Sequence, residues 1–120
     1  MGFEPLSYDY DAACCALVVQ GSIDELNVHE FRSAVAAASN AADGQLTIDL
    51  DAVNFLPSVA IGVLAHAMRR AEQQGRSVAL VAGERSVAAR ILQIAGLPLT
   101  TSASDSTSAQ VRKKPSNDAR

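Results

Sequence analysis

The chain has 120 residues, of which 48% are apolar and 19% are charged, and its formal net charge at pH 7 is −3. This length and composition predict one globular domain whose core needs neither disulfide bonds nor a metal. The negative charge supplies no broad cationic surface, and no apolar stretch approaches the ~20 residues that span a bilayer, so we expect no nucleic-acid partner and no membrane insertion. The two cysteines, Cys14 and Cys15, are adjacent and cannot join distant segments. We therefore expect a reduced, cytoplasmic protein.

Residues 101–120 differ in composition from the rest of the chain. They are rich in serine and threonine, and they carry four basic side chains against two acidic ones. Such a segment buries too little apolar surface to offset the entropy lost on ordering. We therefore predict a domain over residues 1–100, followed by a disordered basic tail over residues 101–120.

The first half of the predicted domain contains a hairpin and a helix. A weak strand near residues 6–10 and a buried apolar run over 15–20 predict a hairpin that ends at Gly21. Asn27 marks the start of a first helix, with Glu30 three residues later in the spacing of a capping box. Asp-Gly at positions 43 and 44 ends this helix.

Strand and helix patterns then alternate. The predicted elements are a strand over 46–51, a helix from Ser58 to about Gln74, a strand over 77–82, a helix around 87–95 and a short edge strand after residue 97. Strand–helix–strand alternation implies crossovers and a partly parallel sheet, while the hairpin adds an antiparallel pair. The sequence therefore predicts an α/β domain with a mixed sheet of four to five strands and three to four helices.

No motif for catalysis or for a cofactor is present. The seven glycines are isolated, so the sequence contains no glycine-rich loop to cradle a phosphate. His29 and His66 have no histidine or cysteine at the spacing of metal ligands, and both are expected on polar faces of helices. The sequence therefore predicts a protein that is not an enzyme and that needs no metal and no cofactor.

Three segments share the order and spacing of a known family: LVVQGSID at 17–24, LTIDLDAVNFL at 46–56 and RILQIAGL at 90–97. Over residues 17–97 the sequence resembles the STAS domain, the fold of bacterial anti-sigma-factor antagonists. The resemblance implies that the protein acts by binding. An unphosphorylated antagonist binds a kinase-like anti-sigma factor and so frees a sigma factor for transcription. We expect such a protein to be a monomer or a weak dimer.

The start of the second predicted helix departs from the pattern of that family. It reads PSVAIG at residues 57–62, where antagonists carry Asp-Ser-Ser/Thr-Gly-Leu and are phosphorylated on the second hydroxyl residue. Val59 stands at the position of that phosphoacceptor, and Ser58 matches only the first hydroxyl. The resemblance therefore implies partner binding with the usual phosphoacceptor replaced by Val59. Ser58 has two interpretations, a helix N-cap and a surrogate phosphoacceptor, of which we expect the N-cap.

Helical geometry predicts which face of this helix meets the partner. At ~100° per residue, a stripe of Ile61, Leu64 and Met68 faces the core and the opposite face is exposed. The family uses the start of this helix for its partner, and an apolar patch with a polar rim is typical of a docking surface. The predicted partner-binding residues are Asp24, Ser58, Val59, Gly62, Val63, His66 and Arg70.

Two other functions are compatible with the same resemblance. Some STAS domains are small subunits that scaffold an ABC-type lipid-transport ATPase, and this is the alternative we retain. A nucleotide-binding sensor is less favoured because the glycine-rich cradle is absent. The protein that co-purifies with the chain separates the first two functions, and titration with labelled nucleotide tests the third.

Overall fold

The computed structural model describes residues 5–42 and 44–102. These residues form, in order, β1 Ser7–Asp11, β2 Ala16–Ser22, α1 Val28–Ala41, β3 Gln45–Phe55, α2 Ser58–Gln73, β4 Ser77–Gly83, α3 Val87–Ala95 and β5 Thr100–Ser102. The predicted α/β class, with its mixed sheet and three helices, is confirmed. None of the helices in this described part is both long and apolar enough to cross a bilayer.

The five strands form one sheet in chain order, β1-β2-β3-β4-β5. β1 runs antiparallel to β2, and each later neighbouring pair is parallel. α1 and α2, which connect β2 to β3 and β3 to β4, pack against each other on one face of the sheet. On this covered face, one row of paired residues across the strands consists of Leu17, Ile48 and Leu80, and each of these side chains is at most 1% exposed. The next row lies on the other face and is half-buried; it holds Val18, Asp49 and Val81.

α1 buries the side chains that the sequence places at helical spacing, Phe31 and Val35 among them. Asn27 is the N-cap residue, as expected, but its side chain makes no capping hydrogen bond. The predicted capping box is wrong because Glu30 has a different partner. Its carboxylate accepts a hydrogen bond from the hydroxyl of Tyr8 at 3.1 Å, which ties α1 to the edge strand β1.

Irregular pairing with β2 accompanies the extension of β3 beyond its predicted end. Val18 pairs with Asp49, but Gln20 pairs with Ala52, so β3 contributes one extra residue over this stretch. A second register shift follows before the end of the strand. Extra residues of this kind are β-bulges, and they bend a strand and re-aim its side chains. Phe55 ends β3 with half of its surface exposed.

β5 corrects the predicted boundary between domain and tail. Thr101 pairs with Ala82 and Ser102 pairs with Gly83, so the sheet extends beyond residue 100. Pairing at a sheet edge uses backbone groups and needs no apolar side chain, which is why the polar composition conceals it. The rest of the predicted tail, residues 103–120, lies outside the described residues.

Candidate functional site

Three segments meet at the edge of the sheet where the parallel strands end. β2, β3 and β4 run in the same direction, so the loop after β2, the end of β3 and the start of α2 all lie at the carboxyl ends of strands. The amide of Ile23 donates to the carbonyl oxygen of Phe55 at 3.1 Å and joins the first segment to the second. We call the residues presented here the carboxyl edge: Leu26, Phe55, Ser58, Val59 and Gly62.

Large apolar side chains are exposed at the carboxyl edge. Leu26 is 93% exposed, Phe55 52% and Val59 39%. Single exposed apolar residues are common on protein surfaces, whereas larger contiguous apolar patches are typical of interaction surfaces. The sequence predicts Val59 in the partner surface but neither Leu26 nor Phe55. In the sequence, these two stand out only as large apolar residues that lie outside the buried positions of the strand and helix patterns.

The loop that presents Leu26 is held by reciprocal hydrogen bonds. Oδ1 of Asp24 accepts from the amides of Leu26 and Asn27, both at 2.9 Å. Oδ1 of Asn27 accepts from the amide of Asp24 at 2.8 Å, and its Nδ2 donates to the carbonyl oxygen of Ser22 at 3.1 Å. The chain enters this loop through Gly21, whose φ of +93° is strained for any residue with a Cβ. Asp24, a predicted partner residue, therefore shapes the loop in the free protein.

The predicted N-cap role of Ser58 is wrong. The N-cap is Pro57, whose carbonyl oxygen accepts from the amides of Ala60 at 2.9 Å and Ile61 at 3.1 Å. Ser58 is the first helical residue, it is exposed, and it makes no side-chain capping bond. Its hydroxyl therefore lies in solvent at the amino end of α2, next to Val59.

The predicted core-facing stripe of α2 is also corrected. Val63 is only 6% exposed, although it was expected on the solvent side, and Leu64 is fully buried as expected. Ile61 and Met68 are half-buried. The reason is that α2 packs on α1 as well as on the sheet, so its buried arc turns toward α1 and includes Val63. The other residues of the predicted surface that lie in α2 are exposed: Ser58, Val59, Gly62, His66 and Arg70.

Val63 lines a cavity of about 340 Å³ between α1 and α2. We call this cavity the helical cleft; its lining includes Arg32, Val35, Ser39, Val63, His66 and Arg70. Its floor is formed by Leu46 and Val78, near the amino ends of β3 and β4. The predicted partner residues therefore divide between two places. Those at the start of α2 belong to the carboxyl edge, whereas Arg70 lies ~16 Å further along the helix axis than Val59, in the cleft.

The sequence matches a known family over most of its length. The family model described as "Mlab, STAS domain" matches residues 6–98. The chain is 37% identical over 79 residues to the anti-sigma-F factor antagonist RsfA of Mycobacterium tuberculosis, a match that covers 64% of this chain and 61% of that protein. The chain thus spans about 61% of the length of the curated relatives it matches.

Solved structures show the same fold at low sequence identity. An anti-sigma factor antagonist from Mycobacterium paratuberculosis has a TM-score of 0.62 and 23% identity, covering 92% of this chain and 94% of that chain. The anti-sigma factor antagonist SpoIIAA in its unphosphorylated form has a TM-score of 0.64 and 17% identity, covering 93% and 100% of the two chains. Since the family match spans residues 6–98, which hold every element from β1 to α3, the chain belongs to the STAS domain family.

Proposed function

We propose that this chain is an anti-sigma-factor antagonist, which binds a kinase-like anti-sigma factor through the carboxyl edge and so frees a sigma factor. The observation that carries the proposal is the exposure of Leu26, Phe55 and Val59 at the edge that also holds residues 57–62, the segment that stands in place of the family's phosphorylation motif. The curated relative named as an anti-sigma-F factor antagonist supports the same function. On this proposal the protein acts by binding and not by catalysis.

The carboxyl edge has the physical properties of a contact surface. Removing a leucine side chain as exposed as Leu26 from water contributes ~1.5–3 kcal/mol. The bonds between Asp24 and Asn27 hold the loop in one conformation before a partner arrives. A loop that is already ordered loses less conformational entropy on binding, so more of the burial energy is available for affinity.

We further propose that Val59 replaces the usual phosphoacceptor and that the edge is permanently competent to bind. Valine has no hydroxyl to accept a phosphoryl group. Ser58 has one, but along a helix it is rotated by ~100° and displaced by ~1.5 Å from the next position. A kinase site shaped for the next residue therefore meets the hydroxyl of Ser58 in poor alignment, and in-line transfer tolerates little misplacement.

Affinity capture from the source bacterium, followed by mass spectrometry, tests the choice of partner. The proposal expects a kinase-like anti-sigma factor. Capture of an ABC-type transport ATPase instead would contradict the proposal. It would support the alternative, a STAS subunit that scaffolds a lipid-transport ATPase.

Calorimetry on the purified pair then tests the surface. Leu26→Asp and Phe55→Asp are expected to weaken binding at least ~30-fold, the effect of losing a central contact. The matched control is Ile94→Asp, because Ile94 is 81% exposed but lies near the end of α3, away from the carboxyl edge. An equal loss with Ile94→Asp, or full affinity with both edge variants, would contradict the assignment.

Incubation of the pair with ATP, followed by intact mass measurement, tests the switch. We expect no stoichiometric phosphate on the natural sequence and phosphorylation of a Val59→Ser variant. Stoichiometric phosphate on Ser58 that abolishes binding would show that the switch has moved by one residue. In that event a group carrying about −1.5 to −2 charge would lie beside Val59.

A further inference from the structure

We propose that the helical cleft binds a small amphipathic anion, a molecule with an apolar body and a single carboxylate or phosphate group. The cavity of about 340 Å³ lies near the lower end of the ~300–1,000 Å³ typical of ligand pockets. Its floor lies at the amino ends of β3 and β4, whereas the carboxyl edge lies at their other ends. The proposed site is therefore separate from the proposed partner surface and does not rest on it.

Apolar side chains form much of the lining of the cleft. Val35 of α1 lines it, as do Val63 and Ala67 of α2. Leu46 and Val78 close the floor. Val35, Val63, Leu46 and Val78 are all buried, so the walls are set by packed side chains and the shape exists before a ligand enters.

Three arginines also line the cleft. Arg32 comes from α1, Arg70 from α2 and Arg76 from the segment before β4, and His66 lies beside them. No aspartate or glutamate is among the described residues that line the cleft. Guanidinium groups recognise carboxylate and phosphate through paired hydrogen bonds, so these arginines favour a ligand with an anionic head group.

The arginines differ in what they already bind. Nη1 of Arg76 donates to the carbonyl oxygens of Ser39 at 3.0 Å and Ala42 at 3.1 Å, which fixes this cation at the carboxyl end of α1. Arg32 and Arg70 are exposed, and within residues 5–42 and 44–102 neither side chain has a hydrogen bond or an ion pair. These two guanidinium groups are therefore available to a ligand.

A buried serine hydroxyl, that of Ser39, is a further polar group at the cleft. The oxygen of this hydroxyl is buried and has no hydrogen-bond partner among the described residues, although the residue lines the cleft. A buried hydroxyl without a partner is costly to the protein. Rotation about χ1 to meet a ligand oxygen in the cleft would satisfy it.

The chemistry of the lining also selects the class of ligand. No phenylalanine, tyrosine or tryptophan is among the described residues that line the cavity, so its apolar part is aliphatic. A short aliphatic chain with a charged end matches both the apolar walls and the arginines.

Binding to the purified chain tests this site without any partner protein. The probes are decanoate and decyl phosphate below their micellar concentrations, with decanol, decyltrimethylammonium and inorganic phosphate as controls. Calorimetry is expected to show Kd values at least tenfold lower for the two amphipathic anions than for all three controls. Amide resonances in an NMR titration should shift at Val35, Ser39, Val63 and Ala67. Equal binding of decanol or decyltrimethylammonium, comparable binding of phosphate alone, or no binding of either anion would overturn the proposal.

Charge-neutral variants locate the head group. Arg32→Gln and Arg70→Gln are each expected to raise the Kd for decanoate at least fivefold. Arg69→Gln is the matched control, because Arg69 is exposed on the same helix but does not line the cleft, and it should change Kd less than twofold. An equal effect of Arg69→Gln would show general charge attraction and would overturn the site. Because no anti-sigma factor is present in this assay, its failure leaves the proposed function untouched, and the reverse also holds.

Discussion

The carboxylate of Asp51 accepts a hydrogen bond from the backbone amide of Gly83 at 2.7 Å. This bond joins β3 to β4 beyond their last paired residues, Asp49 and Val81. Near this point β3 shifts register against its other neighbour, β2. A side-chain oxygen of β3 thus receives the Gly83 amide just beyond the regular ladder between β3 and β4. Asp49 in turn accepts from the amide of Asp51 at 3.0 Å. The two aspartates at the end of the strand thus act as acceptors for backbone amides.

Asp51→Ala is expected to destabilise the fold by ~1–3 kcal/mol, because it leaves the buried amide of Gly83 without a partner. Gly83→Ala should also destabilise, since a Cβ at this position overlaps the carboxylate of Asp51. Urea unfolding measures both effects.

The double variant is the control for that explanation. The atoms that lie close to a Cβ at Gly83 all belong to Asp51, so Gly83→Ala should cost less in an Asp51→Ala background than in the natural sequence. Additive costs would show that the two residues are not coupled in this way.

Gly62→Ala is expected to stabilise the domain by ~0.5–1 kcal/mol, because Gly62 is exposed inside α2 and a Cβ there meets nothing within 4 Å. Thermal unfolding should show a rise of a few degrees. Gly96→Ala is the control, because we expect it to lower the stability of the domain instead of raising it. Gly96 also has open space, but its φ of +84° at the end of α3 is left-handed, so Gly96→Ala should cost ~1–2 kcal/mol. Destabilisation by Gly62→Ala would contradict the structure of α2.

The hydrogen bond to Glu30 raises the pKa of Tyr8 above its ordinary value of 10.0, with desolvation and the negative charge of Glu30 acting in the same direction. The bond requires the protonated phenol, so its contribution to stability is present below pH 10.0 and is lost as pH rises through the folded-state pKa of Tyr8. Tyrosinate absorbance follows this titration, with Tyr10→Phe isolating Tyr8. Glu30→Ala should lower the pKa of Tyr8, and Glu25→Ala should leave it unchanged; equal shifts would refute the bond.

Removal of residues 103–120 is expected to leave the melting temperature within about 2 °C of the full chain, since a serine-rich polar segment has little apolar surface to bury. A cut before Thr100 should lower it, because β5 pairs with β4. Differential scanning calorimetry compares the two truncations. A drop of several degrees on removal of 103–120 alone would mean that this segment contributes to the fold.

The order of strands and helices was readable from the sequence because their signals are local. The alternation of Leu46, Ile48 and Leu50 and the helical spacing of Phe31 and Val35 do not depend on what packs against them, and both are confirmed. The segments that resemble the STAS domain also lie within these elements. The absence of a hydroxyl at Val59 is a matter of covalent chemistry and needs no structure.

Tertiary structure alone decided which residues reach solvent at the candidate sites. Val63 is buried because α1 lies beside α2, and Ser58 makes no capping bond because Pro57 is the N-cap of α2. The sheet also extends β3 to Phe55, which ends the strand half exposed. The hydrophobic periodicity of the sequence indicates which residues share a face of a helix or strand. The element that covers that face comes from a distant part of the chain. The helical cleft follows the same rule, since its arginines come from three separate segments that only the packing of α1 and α2 on the sheet brings together.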